Sequence, residues 1–216
     1  MKKLICVILS LVMILSLTAC ASSESAAAPD TENTNDPTYT VAIVQQLDHS
    51  SLDEIRTAIE AQLKVLASEK NIAINITYDN GQNDASMLNQ IGTQVVSDGV
   101  DMIIPIATLA AQSMVTAADG TDIPVVYAAI SDPEGAGLTD IPTVTGVSDA
   151  LNTNFIMDMM FAADPSIQSV GLLYSNSEIN SEAPIRDAKA YLDAKGIAYV
   201  EAAAMTSLAV LPVFST

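Results

Sequence analysis

The sequence predicts an α/β protein of two lobes, each built on a parallel sheet, with the second lobe incomplete. Short β-branched runs alternate with amphipathic helical stretches from Tyr39 onward. Alternation of that kind makes parallel strands joined by right-handed crossovers, with helices on both sheet faces. The alternation restarts near Thr143, and the sequence reaches Thr216 through an apolar run, Leu208 to Phe214, without a polar face to finish a layer. The expected organisation is a signal segment over 1–19, a disordered linker over 20–38, a first lobe over 39–142 and a partial second lobe over 143–216.

Each element has its own signal. Thr40 to Gln45 is a β-branched run and reads as a buried strand. Leu52, Ile55, Ile59, Leu63 and Leu66 recur at helical spacing and give one apolar face from about Ser51 to Ser68. Ile72, Ile74, Ile76 and Tyr78 alternate as a strand with one face more buried. Asp84 is placed to cap a helix marked by Met87, Leu88, Ile91 and Val95. A strand at Met102 to Ile106, an alanine-rich helix from Thr108 to about Ala118 and a strand at Pro124 to Tyr127 follow. The second round reads as a strand or crossover at Thr143 to Val147, then a helix over Asn154 to Ala163 with Phe155, Ile156, Met159 and Met160 inward. A strand at Ser169 to Tyr174 and a helix over Glu182 to Ala194, with Ile185, Ala188, Tyr191 and Leu192 on one side, come next. Gly196 ends that helix before a strand from Ile197 to Ala203.

The amino terminus carries an address. Lys2 and Lys3 precede an apolar stretch from Leu4 to Leu17 that closes on Leu17-Thr18-Ala19-Cys20. A short apolar core behind a positive start reads as an export signal, too short for a stable bilayer-spanning helix. Its ending resembles a bacterial lipobox, in which the cysteine becomes the first mature residue and carries lipid. Cys20 is therefore the expected lipidation site, tethering the chain to the extracytoplasmic face of the cell membrane. Ser, Ala, Thr, Asn, Asp and Pro dominate Ala21 to Thr38 without apolar periodicity, the texture of a spacer.

Composition narrows the function. Cys6 and Cys20 are the sequence's cysteines; removal of the signal leaves Cys20, excluding an internal disulfide, thiol catalysis and thiolate metal sites. A net charge of −18 argues against nucleic acid and against electrostatic attachment to anionic lipid. Trp is absent and aromatics are 4% of residues, too few for a stacking surface for bases or sugars.

An open parallel sheet binds ligands at the carboxyl ends of its strands. Those ends carry Gln45, Gln46, Asp48 and His49; Asp79 and Asn80; Thr108; and Ser131 with Asp132. The second lobe presents Ser175 to Glu178, then Asn180 and Ser181. Thr108 and Ser181 fall where helices begin, so free backbone N–H groups could meet a ligand carboxylate. The same residues can also be helix and turn caps. Taken together at equivalent strand ends, they suit a small zwitterion or polar solute.

These segments form an ordered motif set: Val41-Ala-Ile-Val-Gln-Gln-Leu-Asp-His49, Ile106-Ala-Thr-Leu-Ala-Ala-Gln112, Ile130-Ser-Asp-Pro-Glu-Gly-Ala-Gly-Leu138, Val144-Thr-Gly-Val-Ser-Asp149 and Leu173-Tyr-Ser-Asn-Ser-Glu-Ile-Asn-Ser181. The set resembles the ABC-transporter substrate-binding proteins of the tryptophan/tyrosine-binding type, from about Tyr39 to Glu201. The resemblance implies a periplasmic-binding-protein type I-like fold of two Rossmann-like lobes. It also implies a monomer without a cofactor that closes on an aromatic amino acid and delivers it to an ABC permease. Thr108, Ser131 and Asp132 would hold the ligand from the first lobe. Ser177, Glu178, Asn180 and Ser181 would meet it from the second, with Gln45 and His49 in the cleft wall. Family members continue with further strands and a Pro-x-Asp-Asn type motif that has no counterpart here, hence the expectation of an incomplete second lobe. Another polar solute such as a sugar is the alternative ligand; a non-transporting surface lipoprotein or a defective truncated product is the alternative role.

Enzyme readings find little support. Gly-x-Ser-x-Gly, phosphate-loop and Gly-x-Gly-x-x-Gly motifs after a strand are absent from the sequence. His49 is the sole histidine and cannot build a metal cluster; it also reads as an ordinary turn residue. Asp79-Asn-Gly-Gln-Asn-Asp84 has a glycine out of place for a calcium loop. Neither catalysis nor a metal is expected.

Overall fold

The computed structural model describes residues 37–176 and 178–204. The expected signal segment, Cys20, most of the linker, Ser177 and the run from Leu208 to Phe214 lie outside the described residues. The chain builds a five-stranded parallel sheet in the order β2-β1-β3-β4-β5 and a separate two-stranded parallel sheet, β6-β7.

In the first sheet, β1 (Thr38–Gln45) lies between β2 (Ala73–Asn80) and β3 (Met102–Ile106). An inner strand covered on both faces can be apolar at every position, and Val41, Ala42, Ile43 and Val44 are all buried. At the sheet edge β2 alternates instead, with Ile74 and Ile76 packed toward the Val41–Ile43 cluster. Pro105 sits inside β3 although proline cannot donate to a ladder. The β3–β4 register accordingly joins Ile103 to Val125 and Ile106 to Ala128, skipping the residues between. Helix α1 (Ser50–Lys70) packs Leu52, Ile55, Ile59 and Leu63 on one face of the sheet and ends at Asn71 in the left-handed conformation. Helices α2 (Ala85–Ser97) and α3 (Thr108–Ala117) lie on the other face, where Leu88, Val95, Ala110 and Met114 join Ala42, Val44 and Ile103. Asp84 caps α2 as its position predicts, accepting from the Met87 N–H at 2.8 Å. Met87, expected on the apolar face of α2, is 37% exposed.

The sequence pattern restarts at Thr143, and the strand it marks there joins the first sheet. Strand β5 (Val144–Ser148) pairs with β4 (Val125–Ile130), so the first sheet runs on to Ser148. The β4–β5 register shifts between Tyr127 and Ile130, where Ala129 has φ 57°. A bulge of this kind re-aims the residues that follow it, here Ser131 and Asp132.

Beyond the first sheet, α4 (Thr153–Ala163) leads to β6 (Ser169–Ser175), a short 3₁₀ turn at Ile179–Ser181, α5 (Glu182–Lys195) and β7 (Ala198–Ala204). Gly196, with φ 67°, supplies the left-handed exit from α5. The core here is Met157, Leu172, Ala188 and Leu192, with Met160, Phe161, Ile185 and Tyr191 against it. The expected inward face of α4 is therefore wrong in part: Phe155, Ile156 and Met159 are 57%, 43% and 53% exposed. This helix is apolar almost all round, so its periodicity does not select a face. Packing against β6 and α5 selects the set one position on.

On β7, Glu201 accepts from Lys189 Nζ at 2.9 Å and from Tyr174 Oη at 3.1 Å. The Lys189 hydrogen bond holds the Glu201 carboxyl below its ordinary range. In turn, hydrogen bonding to Glu201 pushes both Tyr174 and Lys189 up.

Candidate functional site

The carboxyl ends of β1, β3 and β4 converge on the start of the 3₁₀ turn and α5. At β3 the chain enters α3 through Ala107, whose φ of 75° and ψ of 163° lie in a region suited to glycine. Holding an alanine there costs about 1–3 kcal/mol, which the surroundings must supply. Ala107 N–H donates to Ala128 O at 3.0 Å and Ala107 O accepts from Ala111 N–H at 3.0 Å, fixing the bend. No side chain of Ala107 can cap the helix, and Gln46 serves instead. The Gln46 Oε1 accepts from the Leu109 N–H at 2.9 Å while its Nε2 donates to Asn83 Oδ1 at 2.8 Å. One free N–H at the α3 start is thereby used. Those of Thr108 and Ala110 have no intrahelical acceptor, as the geometry of a helix start requires.

Thr108 is buried and shares a small pocket of about 40 Å³ with Gln46, Gln112, Glu178 and Asn180. Thus two expected residues of the second sheet's segment, Glu178 and Asn180, meet an expected residue of the first. Gln112 was not anticipated; its Nε2 donates to Ala136 O at 3.0 Å, tying α3 to the loop after β4.

A second cavity, of about 190 Å³, lies beyond the ends of β4 and β5. Ser131 and Asp132 line it together with Leu151 and with Pro184, Arg186 and Asp187 of α5. Ser131 Oγ donates to Asp149 Oδ1 at 3.0 Å. Asp132 Oδ1 accepts from Gly135 N–H at 2.9 Å, a turn cap that leaves the other carboxylate oxygen over Gly135. A Cβ on Gly135 would stand 2.5 Å from Asp132 Oδ2, so this carboxylate position requires a glycine beneath it.

Three expected residues line neither cavity. Gln45 is fully buried; its Nε2 donates to Leu47 O at 2.7 Å and Asp53 Oδ1 at 2.9 Å, so its neighbour Gln46 faces the pocket in its place. Its Oε1 has no partner among the described residues. His49 caps α1, its Nδ1 accepting from Ser51 N–H at 3.3 Å. Ser181 is half-buried at the α5 start and makes no side-chain cap bond. Arg186 went unanticipated, though helical side chains lean toward the N-terminus and residues one turn in reach over it. Among the described residues no group of three His, Cys, Asp or Glu could hold a metal ion, and no helix is long and apolar enough to cross a membrane.

Comparisons give this arrangement its context. Residues 40–214 match the family model described as ABC transporter substrate binding protein, a family that binds its substrate and is not enzymatic. The tyrosine-binding protein of Clostridioides difficile strain R20291 is 28% identical over 214 residues, 95% of this chain and 61% of that protein. The crystal structure of a conserved domain protein from Vibrio cholerae superposes with a TM-score of 0.71 and 29% identity, covering 79% of this chain and 58% of that one. The ABC domain in complex with L-Trp from Streptococcus pneumonia gives a TM-score of 0.68 and 33% identity over 77% of this chain and 57% of that one. The chain thus spans 57 to 61% of the length of these relatives. Its parallel α/β architecture is that of periplasmic-binding-protein type I-like structures. With the match running from Thr40 within β1 to beyond the end of β7, the chain belongs to the ABC transporter substrate-binding protein family.

Proposed function

We propose that this chain is the extracytoplasmic solute-binding component of an ABC importer, that it captures an aromatic amino acid between its lobes, and that it passes the ligand to a membrane permease. The first lobe runs from Tyr39 through the end of β5 and the second from α4 onward. Lipid on Cys20 tethers the chain to the membrane, and the segment up to Thr38 gives it reach.

The observation that carries this reading is the cavity of about 190 Å³ lined by Ser131 and Asp132 together with Pro184, Arg186 and Asp187. Small ligands are held in such sites by an apolar lining with a few polar groups to orient them. Leu151 and Pro184 offer aliphatic surface for a side chain, while Asp132 offers a carboxylate to an ammonium group. The tyrosine and L-Trp named for the two relatives above agree with that chemistry. A sugar fits less well, because among the described residues no aromatic ring lines either cavity.

Thermal melting of the purified chain with L-tryptophan, L-tyrosine, L-phenylalanine, L-leucine and maltose tests the proposal. A ligand at a hundred times its Kd stabilises by about 2.7 kcal/mol, which for a body of this size raises Tm by about 5–10 °C. Saturable stabilisation by an aromatic amino acid alone supports the reading. A folded chain that responds to none of the three, or to maltose instead, refutes it.

A further inference from the structure

An amino-acid ligand carries a carboxylate as well as an ammonium group, and the groups around the cleft differ in what they have left to offer it. The Leu109 N–H is taken by Gln46, and the Ser131 hydroxyl is committed to Asp149. Of the described residues lining the larger cavity, Asp132 and Asp187 are acidic and Arg186 is the single cation. Arg186 is bound through Nε to Asp187 Oδ1 at 3.0 Å. That contact uses one edge of the guanidinium. The two η nitrogens have no partner among the described residues, and the side chain is 69% exposed. Asp132, which lines the same cavity, is held by the Gly135 N–H, and its second oxygen has no hydrogen-bond partner among the described residues.

Without Arg186 this wall would carry acids alone and would select an amine. With it, both signs of charge line a space of about 190 Å³. We propose that Arg186 is the specificity-determining residue that binds the ligand's carboxylate, with Asp132 receiving the ammonium, so that the site takes α-amino acid zwitterions and discriminates against the corresponding amines. This assignment rests on the function proposed above and names the group that reads the backbone of the ligand. Arg186 presents a planar fork that matches a carboxylate in a way a lysine ammonium does not. Asp187 engages the guanidinium through Nε, which leaves the η nitrogens for the carboxylate.

The test compares L-tyrosine with tyramine, which differ only in the carboxylate, by calorimetric titration of the full chain and of Arg186→Gln, Arg186→Lys and Asp132→Asn. A hydrogen-bonded charge contact contributes enough to change affinity by about 10–100-fold. In Arg186→Gln, tyrosine affinity is expected to fall by that factor while tyramine affinity holds or rises. Arg186→Lys recovers part of the preference for tyrosine. Asp132→Asn weakens both ligands together. Because Arg186 is exposed, its variants are expected to keep the parent melting temperature, which separates loss of a contact from loss of the fold. Unchanged tyrosine affinity in Arg186→Gln overturns the assignment while leaving the aromatic amino-acid reading intact, and so does an equal loss for both ligands. Failure of the unaltered chain to bind tyrosine, tryptophan or phenylalanine overturns that reading and the assignment with it.

Discussion

Replacing alanine by glycine ordinarily destabilises a folded chain, so the backbone at Ala107 makes a sharp prediction. Its φ of 75° and ψ of 163° place an L-residue where the Cβ is crowded by its own backbone, and the surrounding bonds to Ala128 and Ala111 prevent relaxation. Relief of that strain in Ala107→Gly should gain about 2 kcal/mol, the middle of the range for such conformations. Against it stand about 0.7 kcal/mol for the greater freedom of glycine in the unfolded chain and about 0.4 kcal/mol for a half-buried methyl group. The balance is a stabilisation of about 1 kcal/mol, or about 2–4 °C in Tm for a body of this length.

Urea unfolding monitored by circular dichroism gives the number directly, with Ala110→Gly as the contrasting substitution three residues away. Ala110 is fully buried inside α3, where glycine has no strain to relieve and should cost at least about 1 kcal/mol. The two variants should therefore move in opposite directions. If Ala107→Gly destabilises the chain to the same extent as Ala110→Gly, the account of Ala107 as a strained hinge into α3 fails.

The turn beneath Asp132 responds in the other sense. In Gly135→Ala the added carbon meets Asp132 Oδ2 at 2.5 Å, so the carboxylate must leave its place; affinity for L-tyrosine should drop about tenfold or more for the loss of a charged contact, measured by titration, and unchanged affinity would remove Asp132 from the site. The Glu201 cluster sets a pH dependence. The lowered carboxyl of Glu201 contributes stability that is present above its unfolded value and lost as pH falls through its folded value, while the raised Lys189 and Tyr174 contribute stability lost as pH rises through theirs. Urea midpoints measured from pH 3 to 11 should decline less steeply at both ends in Glu201→Gln; parallel curves would show that the cluster does not couple to folding.

Much of the fold was legible because burial on both faces imposes composition. The runs at β1 and β3 are apolar without alternation, and α1 shows its stripe at Leu52, Ile55, Ile59 and Leu63, so local pattern and tertiary role coincide. Capping was equally local: Asp84 bonds the Met87 N–H within its own turn. The failures came where the deciding partner is remote. Val144 to Ser148 is a short run whose membership depends on pairing with β4, and nothing inside the run says which sheet it joins. The stretch from Phe155 to Phe161 is apolar on nearly every side, so only contact with Leu172 and Leu192 picks Met157 as the buried residue.

The site divides along the same line, and the division explains which residues a sequence can reveal. Thr108, Ser131, Asp132, Glu178 and Asn180 line the two cavities, as expected from a topological rule, ligands at strand carboxyl ends, that converts position in the chain into position in space. That rule resolves a strand end but not the parity of the side chains at it. Gln45 and Gln46 are adjacent amides, and which of them faces the pocket depends on α1 covering the first through Asp53 and on the α3 start claiming the second through Leu109. Arg186 lay outside the rule altogether, since it belongs to the body of a helix and reaches the cavity only because of how α5 is set against β4 and β5. Residues of its kind differ between chains of one fold without disturbing the fold, as an exposed side chain carries little of the packing. They are where one scaffold can change its ligand, and so the selectivity of this chain should be sought at Arg186 before it is sought at the strand ends.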